Sequence, residues 1–209
     1  MKTITITTSN RKLGAMIPNI NLPPVETCRA NAPCRKGCYA CKGTFLYDNV
    51  QKAMQKNLSI YKENPESYFN QIQGYLMMCP FKYFRYHSAG DIVDMEYLDL
   101  MCQTAKKCKG TTFLCYTKKY ELVNRYLAKN KKPKNLVIVF SCWGVFAPKE
   151  NPCNLPLTYV KFNKPALDKY IPDNAFECCG NCSVCHKCWE LKNGESVYFH
   201  KHWKTVLFS

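Results

Sequence analysis

The chain has 209 residues, 46% of them hydrophobic, which suits one folded domain with a small appendage and excludes global disorder. Thirty Lys and Arg against fifteen Asp and Glu give a formal charge of +15, a field that favours nucleic acid, anionic membrane or acidic partners. No apolar run reaches the roughly 18–20 residues of a membrane span, and the alternating start Met1 to Ser9 lacks a signal-peptide core. The expected compartment is therefore the cytoplasm, with no membrane association and no indication of oligomeric state.

In chain order, residues 3–8 read as an edge strand and Ala15 to Leu22 as a second, ended by Pro23-Pro24. Asp48 to Ile60 is helical by the spacing of Val50, Ala53, Met54 and Leu58, and a further helix runs from Pro65 to about Met78. Phe81 to His87 is a strand with Ser88-Ala89-Gly90-Asp91 as its exit loop. Asp94 caps a helix whose Leu98, Met101, Cys102 and Ala105 share one face. Thr111 to Thr117 is a strand rich in β-branched and aromatic residues, Lys119 to Lys129 a helix, and Leu136 to Phe140 a strand apolar on both faces. Leu157 to Phe162 is a late strand, and a cysteine-rich segment ends in another near Val197 to His200.

Strands alternating with helices imply right-handed βαβ units. The expected fold is α/β: a partial (β/α) barrel, TIM-like, over residues 1–164, with a cysteine-rich iron-sulfur cap over 165–209. An open doubly wound sheet is the alternative. The lysine run Lys129 to Lys134 reads first as a solvated helix end.

Fifteen cysteines without an export signal point to ligation rather than a disulfide scaffold. Cys34, Cys38 and Cys41 stand in the loop Cys34-Arg35-Lys36-Gly37-Cys38-Tyr39-Ala40-Cys41, with Cys28 before them. Three thiolates leave one iron of a cubane open to a small molecule, whereas Cys28 as a fourth ligand closes it. Cys179, Cys182, Cys185 and Cys188 form the second set, each two residues from the next. That spacing suits a cubane cluster, with tetrahedral zinc as the alternative metal. Cys178 and His186 stand beside the set. Two 4Fe-4S clusters are thus expected, or zinc at the second site.

The three-plus-two cysteine loop after a first strand resembles the radical S-adenosylmethionine superfamily. That resemblance implies a cofactor on the open iron, a partial barrel around it, and an electron donor such as flavodoxin or ferredoxin. Ala89-Gly90-Asp91-Ile92 stands where the superfamily often has Gly-Gly-Glu-Pro. A second resemblance is to a family of phage and mobile-element proteins named after a mycobacteriophage gene product. It is carried by Cys38-Tyr39-Ala40, Arg85 to Asp91 leading to Glu96-Tyr97-Leu98-Asp99, Phe113 to Lys118, and Phe199-His200-Lys201-His202. It covers about residues 15–205 and implies an iron-sulfur protein in a phage-infected or mobile-element-bearing bacterial host.

In such folds ligands sit at the carboxyl ends of the strands. Asp91, His87, Tyr116 and Lys118 are the candidate catalytic residues: Asp91 to accept from an ammonium group, His87 to donate to a cluster or carboxylate, Tyr116 and Lys118 to position an anionic substrate. Gly90, Asp91 and Trp143 are the candidate cofactor-binding residues. The functional expectation is an iron-sulfur protein resembling radical S-adenosylmethionine enzymes, with one cluster at the barrel mouth and one near the C-terminus. The alternative is a non-enzymatic electron-transfer or redox-sensing iron-sulfur protein that binds nucleic acid.

Overall fold

The computed structural model describes residues 2–8, 10 and 12–201, so His202 of the last motif lies outside the described residues. Two short strands come first, β1 (Ile6–Thr7) and β2 (Asn19–Ile20), followed by helices α1 (Asp48–Glu63) and α2 (Pro65–Met78). Then β3 (Tyr83–Tyr86), α3 (Met95–Lys107), β4 (Thr112–Thr117), α4 (Tyr120–Leu127) and β5 (Leu136–Ser141) alternate. The chain continues through β6 (Leu157–Lys161), the single turn α5 (Pro165–Asp168), β7 (Phe176–Glu177) and β8 (Ser196–His200).

Local chemistry fixes these boundaries. Pro65 opens α2 at its first helical position, where a missing N–H costs nothing, and the Asn64 side chain accepts from Ser67 N at 2.8 Å. Asp94 caps α3 in the same way, accepting from Tyr97 N at 2.8 Å, and also takes the Tyr61 hydroxyl at 2.6 Å. Asn57 on α1 is buried and ties the first strand region down, donating to the carbonyls of Thr5 and Asn21 and accepting from Thr5 N.

The eight strands form one sheet in the order β1-β2-β3-β4-β5-β6-β8-β7, parallel throughout except for the antiparallel β1–β2 pair. Side chains of β4 and β5 alternate between its faces. Phe113, Cys115, Leu136, Ile138 and Phe140 pack with α1 to α4 on one side. Leu114, Val137 and Val139 meet Leu13, Ile17, Cys182, Trp189 and Leu191 on the other. Every residue of β5 is buried, which explains its continuous apolar run.

The expected partial barrel with an iron-sulfur cap is corrected by this arrangement. The chain forms an open α/β sheet of mixed topology, and among the described residues no ladder joins β7 to β1. Part of the face that a barrel would curl around is covered instead by the irregular Cys178–Leu191 segment. Its anchor is Trp189, whose indole Nε1 donates to the Phe84 carbonyl at 3.0 Å.

Candidate functional site

The exit of β3 is the most constrained turn near the strand ends. His87 adopts φ 59°, a left-handed conformation costly for a residue with a Cβ, and Gly90 follows at φ 89°. A Cβ on Gly90 would lie 2.8 Å from both the Cβ and the carbonyl oxygen of Leu22, so its freedom is used to pass backbone against backbone. Asp91 then locks the loop. Its carboxylate accepts from Ile92 N at 2.8 Å and from Lys118 N at 3.0 Å, while its own N–H donates to Thr27 Oγ1 at 3.1 Å. Burial pushes its pKa up, opposed by bonds from Thr117, Lys118 and Ile92.

The His87 ring turns into the core. Nε2 lies 2.9 Å from the Tyr97 hydroxyl, which is 3.1 Å from that of Tyr68, and Nδ1 faces Cys115 Sγ at 3.8 Å. Burial pushes its pKa down to about 3, with Lys119 and Arg85 adding to the effect, so the imidazole is neutral at physiological pH.

Above the carboxyl ends of the strands lies a cavity of about 850 Å³. His87, Gly90, Asp91, Tyr116, Lys118 and Trp143 all line it, so the six residues singled out at the strand ends are brought together. Lys118 Nζ donates to Ser141 Oγ at 2.7 Å, and Trp143 packs edge-on against Phe162 at 5.1 Å. The cavity continues over the sheet face beneath the cysteine-rich segment, where Tyr116 is hydrogen-bonded to Cys188.

Sequence reasoning missed the charge that dominates this wall, Arg85 on β3. Its guanidinium lies 5.0 Å from the Tyr116 ring centre, and its Nε is buried without a hydrogen-bond partner among the described residues. Nearby Ser88 is 5% exposed and its Oγ is also unpartnered. Arg85 pairs in register with Leu114, so it shares the strand face that the cysteine-rich segment covers. The lining holds Lys12, Arg29, Arg85, Lys118 and Lys201 against one carboxylate, Asp91, among the described residues. Arg29 is ion-paired with Glu121 at 2.8 Å.

The cysteine sets do not behave as expected. Among the described residues no group of three or more His, Cys, Asp or Glu side chains is gathered to hold a metal ion. This overturns the two 4Fe-4S clusters, S-adenosylmethionine on an open iron and the zinc alternative, and with them the iron-sulfur, metal-binding and oxidoreductase expectations. The proposed ligands Cys28, Cys34, Cys38, Cys41, Cys179, Cys182, Cys185 and Cys188 are all free thiols. Burial pushes Cys28 and Cys188 up to about 11 and raises Cys34, Cys38 and Cys182, which favours neutral thiols over the thiolates that metals require. Cys182 and Cys188 instead pack in the hydrophobic layer under Trp189, and His186 stacks on Tyr83 at 4.4 Å.

Residues 2–191 match the family described as gene product 88. The chain belongs to the gene product 88 family. That membership carries the phage relationship expected from the motifs, but the iron-sulfur and radical S-adenosylmethionine character expected alongside it is not supported. No curated protein and no solved structure matches this member of the family. No helix among its described residues is long and apolar enough to cross a membrane.

Proposed function

We propose that this gene product 88 protein binds a small organic anion in the strand-end cavity, with Arg85 and Lys118 supplying the positive charge. The observation that carries the reading is Arg85: a guanidinium on a covered wall, its Nε unpartnered, with no ion pair among the described residues. A buried donor without a partner is costly, and a bound carboxylate or phosphate relieves that cost through a charge-assisted hydrogen bond. Ser88 Oγ is a second unsatisfied group among the residues that line the same cavity. Tyr116 offers an aromatic surface over which the Arg85 guanidinium lies.

The volume fits a single small molecule, since ligand pockets span roughly 300–1,000 Å³. In this reading Lys118 positions the anion, held by Ser141, while its backbone N–H is fixed by Asp91. Asp91 and His87 shape the loop between Arg85 and Lys118 rather than touching the ligand. With every cysteine a free thiol, the reducing cytoplasm of a phage-bearing cell is the compartment we favour.

Calorimetric titration with inorganic phosphate, citrate and adenosine monophosphate tests the reading. At least one should bind saturably to the wild-type protein. Arg85→Met should weaken it by roughly tenfold to a hundredfold, as the loss of a charged hydrogen bond of about 1.5–3 kcal/mol requires. Absence of binding by all three, or undiminished binding by Arg85→Met, would overturn it.

A further inference from the structure

One pair of thiols has a geometry that the anion reading does not use. Cys38 precedes a single 3-10 turn, Tyr39–Cys41, and the Cys41 N–H donates to the Cys38 carbonyl at 3.1 Å. Cys38 itself is extended (φ -62°, ψ 125°), so the two cysteines are the first and fourth residues of the turn. Their Cα atoms lie less than about 7 Å apart, overlapping the roughly 4.4–6.8 Å window of a disulfide. Burial raises the Cys38 pKa, and the neighbouring Cys41 thiol adds to the effect. Both are partly exposed. Cys38 lines the cavity, whereas Cys41 is not among its lining residues.

The turn is also held from outside. The Tyr39 hydroxyl donates to the Ser88 carbonyl, its ring packs edge-on against Phe45 at 5.8 Å, and Ala40 between the thiols is buried. The turn that carries the two cysteines is therefore held by tertiary contacts as well as by its own hydrogen bond.

From this we propose that Cys38 and Cys41 form a reversible disulfide, a modification site closed by thiol–disulfide exchange with a low-molecular-weight disulfide that enters the cavity. Cys38, the sulfur the entering molecule meets, loses its proton to solvent and attacks through this minor thiolate fraction one sulfur of the disulfide RSSR, expelling the first thiolate and leaving a mixed disulfide on Cys38. Cys41 then attacks the Cys38 sulfur and expels the second. The two thiol protons end on the released molecules, so the net change is protein dithiol plus RSSR to protein disulfide plus two RSH. Two electrons pass to the small disulfide, which is the only oxidant required, and excess dithiothreitol reverses the reaction. The proposal is independent of anion binding, because the exchange works with an uncharged disulfide.

The test exposes the reduced full-length protein to neutral 2-hydroxyethyl disulfide, quenches by alkylation over time, and maps modified peptides by mass spectrometry. The Cys38–Cys41 linkage should appear before any other pair. Cys41→Ser should accumulate the mixed disulfide on Cys38, and Cys38→Ser should leave Cys41 the slower thiol to react. If either variant fails to fold, the order of linkage in the wild type decides alone. Earlier closure of another pair such as Cys179 and Cys185, or a mixed disulfide forming equally fast on Cys41 in Cys38→Ser, would overturn the proposal.

Discussion

Arg85 and His87 stand two residues apart on β3 and its exit, and opposite requirements govern them. Arg85 is half-buried and keeps its Nε–H donor buried without a partner, which costs the empty protein one unmade hydrogen bond. Arg85→Met should therefore raise the stability of the ligand-free protein while weakening anion binding, as urea denaturation and titration of one preparation would show. His87 is held neutral among Tyr97, Cys115 and the positive field of Lys119 and Arg85. Its folded pKa of about 3 lies below the unfolded value of 6.5. Between these values the unfolded chain binds the extra proton, so stability rises with pH across that window, by up to about 1.4 kcal/mol per pH unit. Glu26, its pKa lowered by Lys62, contributes in the same direction at lower pH. Denaturation midpoints measured from pH 4 to 7 should show this slope, and His87→Asn should flatten it above pH 5.

At the scale of elements, the loop from β3 to α3 is the hinge on which the site depends. Asp91 joins it to the end of β4 through Lys118 N. Asp91→Asn can accept at only one oxygen, so one buried N–H loses its partner at a cost of about 1–3 kcal/mol. Urea midpoints should fall accordingly with an unchanged slope. Gly90→Ala meets both the positive φ and the Leu22 backbone and should cost more than about 1 kcal/mol. The βα alternation itself was legible, because Leu98, Met101 and Ala105 and the apolar run Leu136 to Phe140 of β5 carry patterns that only one burial arrangement satisfies. The short elements were not. Phe176–Glu177 has two residues, too few for a period, and becomes a strand only by pairing with Val197 and Tyr198 far along the chain.

For the whole molecule, the consequential difference concerns the cysteine-rich segment. Spacing along the sequence is one-dimensional, and intervals of two residues fit metal ligation and ordinary packing equally. Which of the two applies is decided by where the sheet stands. Cys182 and Cys188 are drawn beneath Trp189 onto the face of β4 and β5, so the segment is the third layer of the fold. Truncation of that anchor by Trp189→Ala should cost about 3–5 kcal/mol. It should also raise amide exchange in residues 178–191 before the helices of the opposite face. Arg85 escaped sequence reasoning for the same reason: its unusual feature is a missing partner, which exists only once three layers are assembled.

The central claim concerns one guanidinium, and its Nε–H can be observed directly. The Arg85 Nε–H resonance, assigned by its loss in Arg85→Met, should be followed by NMR while inorganic phosphate, citrate or adenosine monophosphate is added. The account predicts a saturable shift of this signal with at least one of the three, accompanied by movement of the Ser88 and Lys118 amides. An Arg85 signal that stays fixed while an anion binds elsewhere, or while none binds, would contradict it.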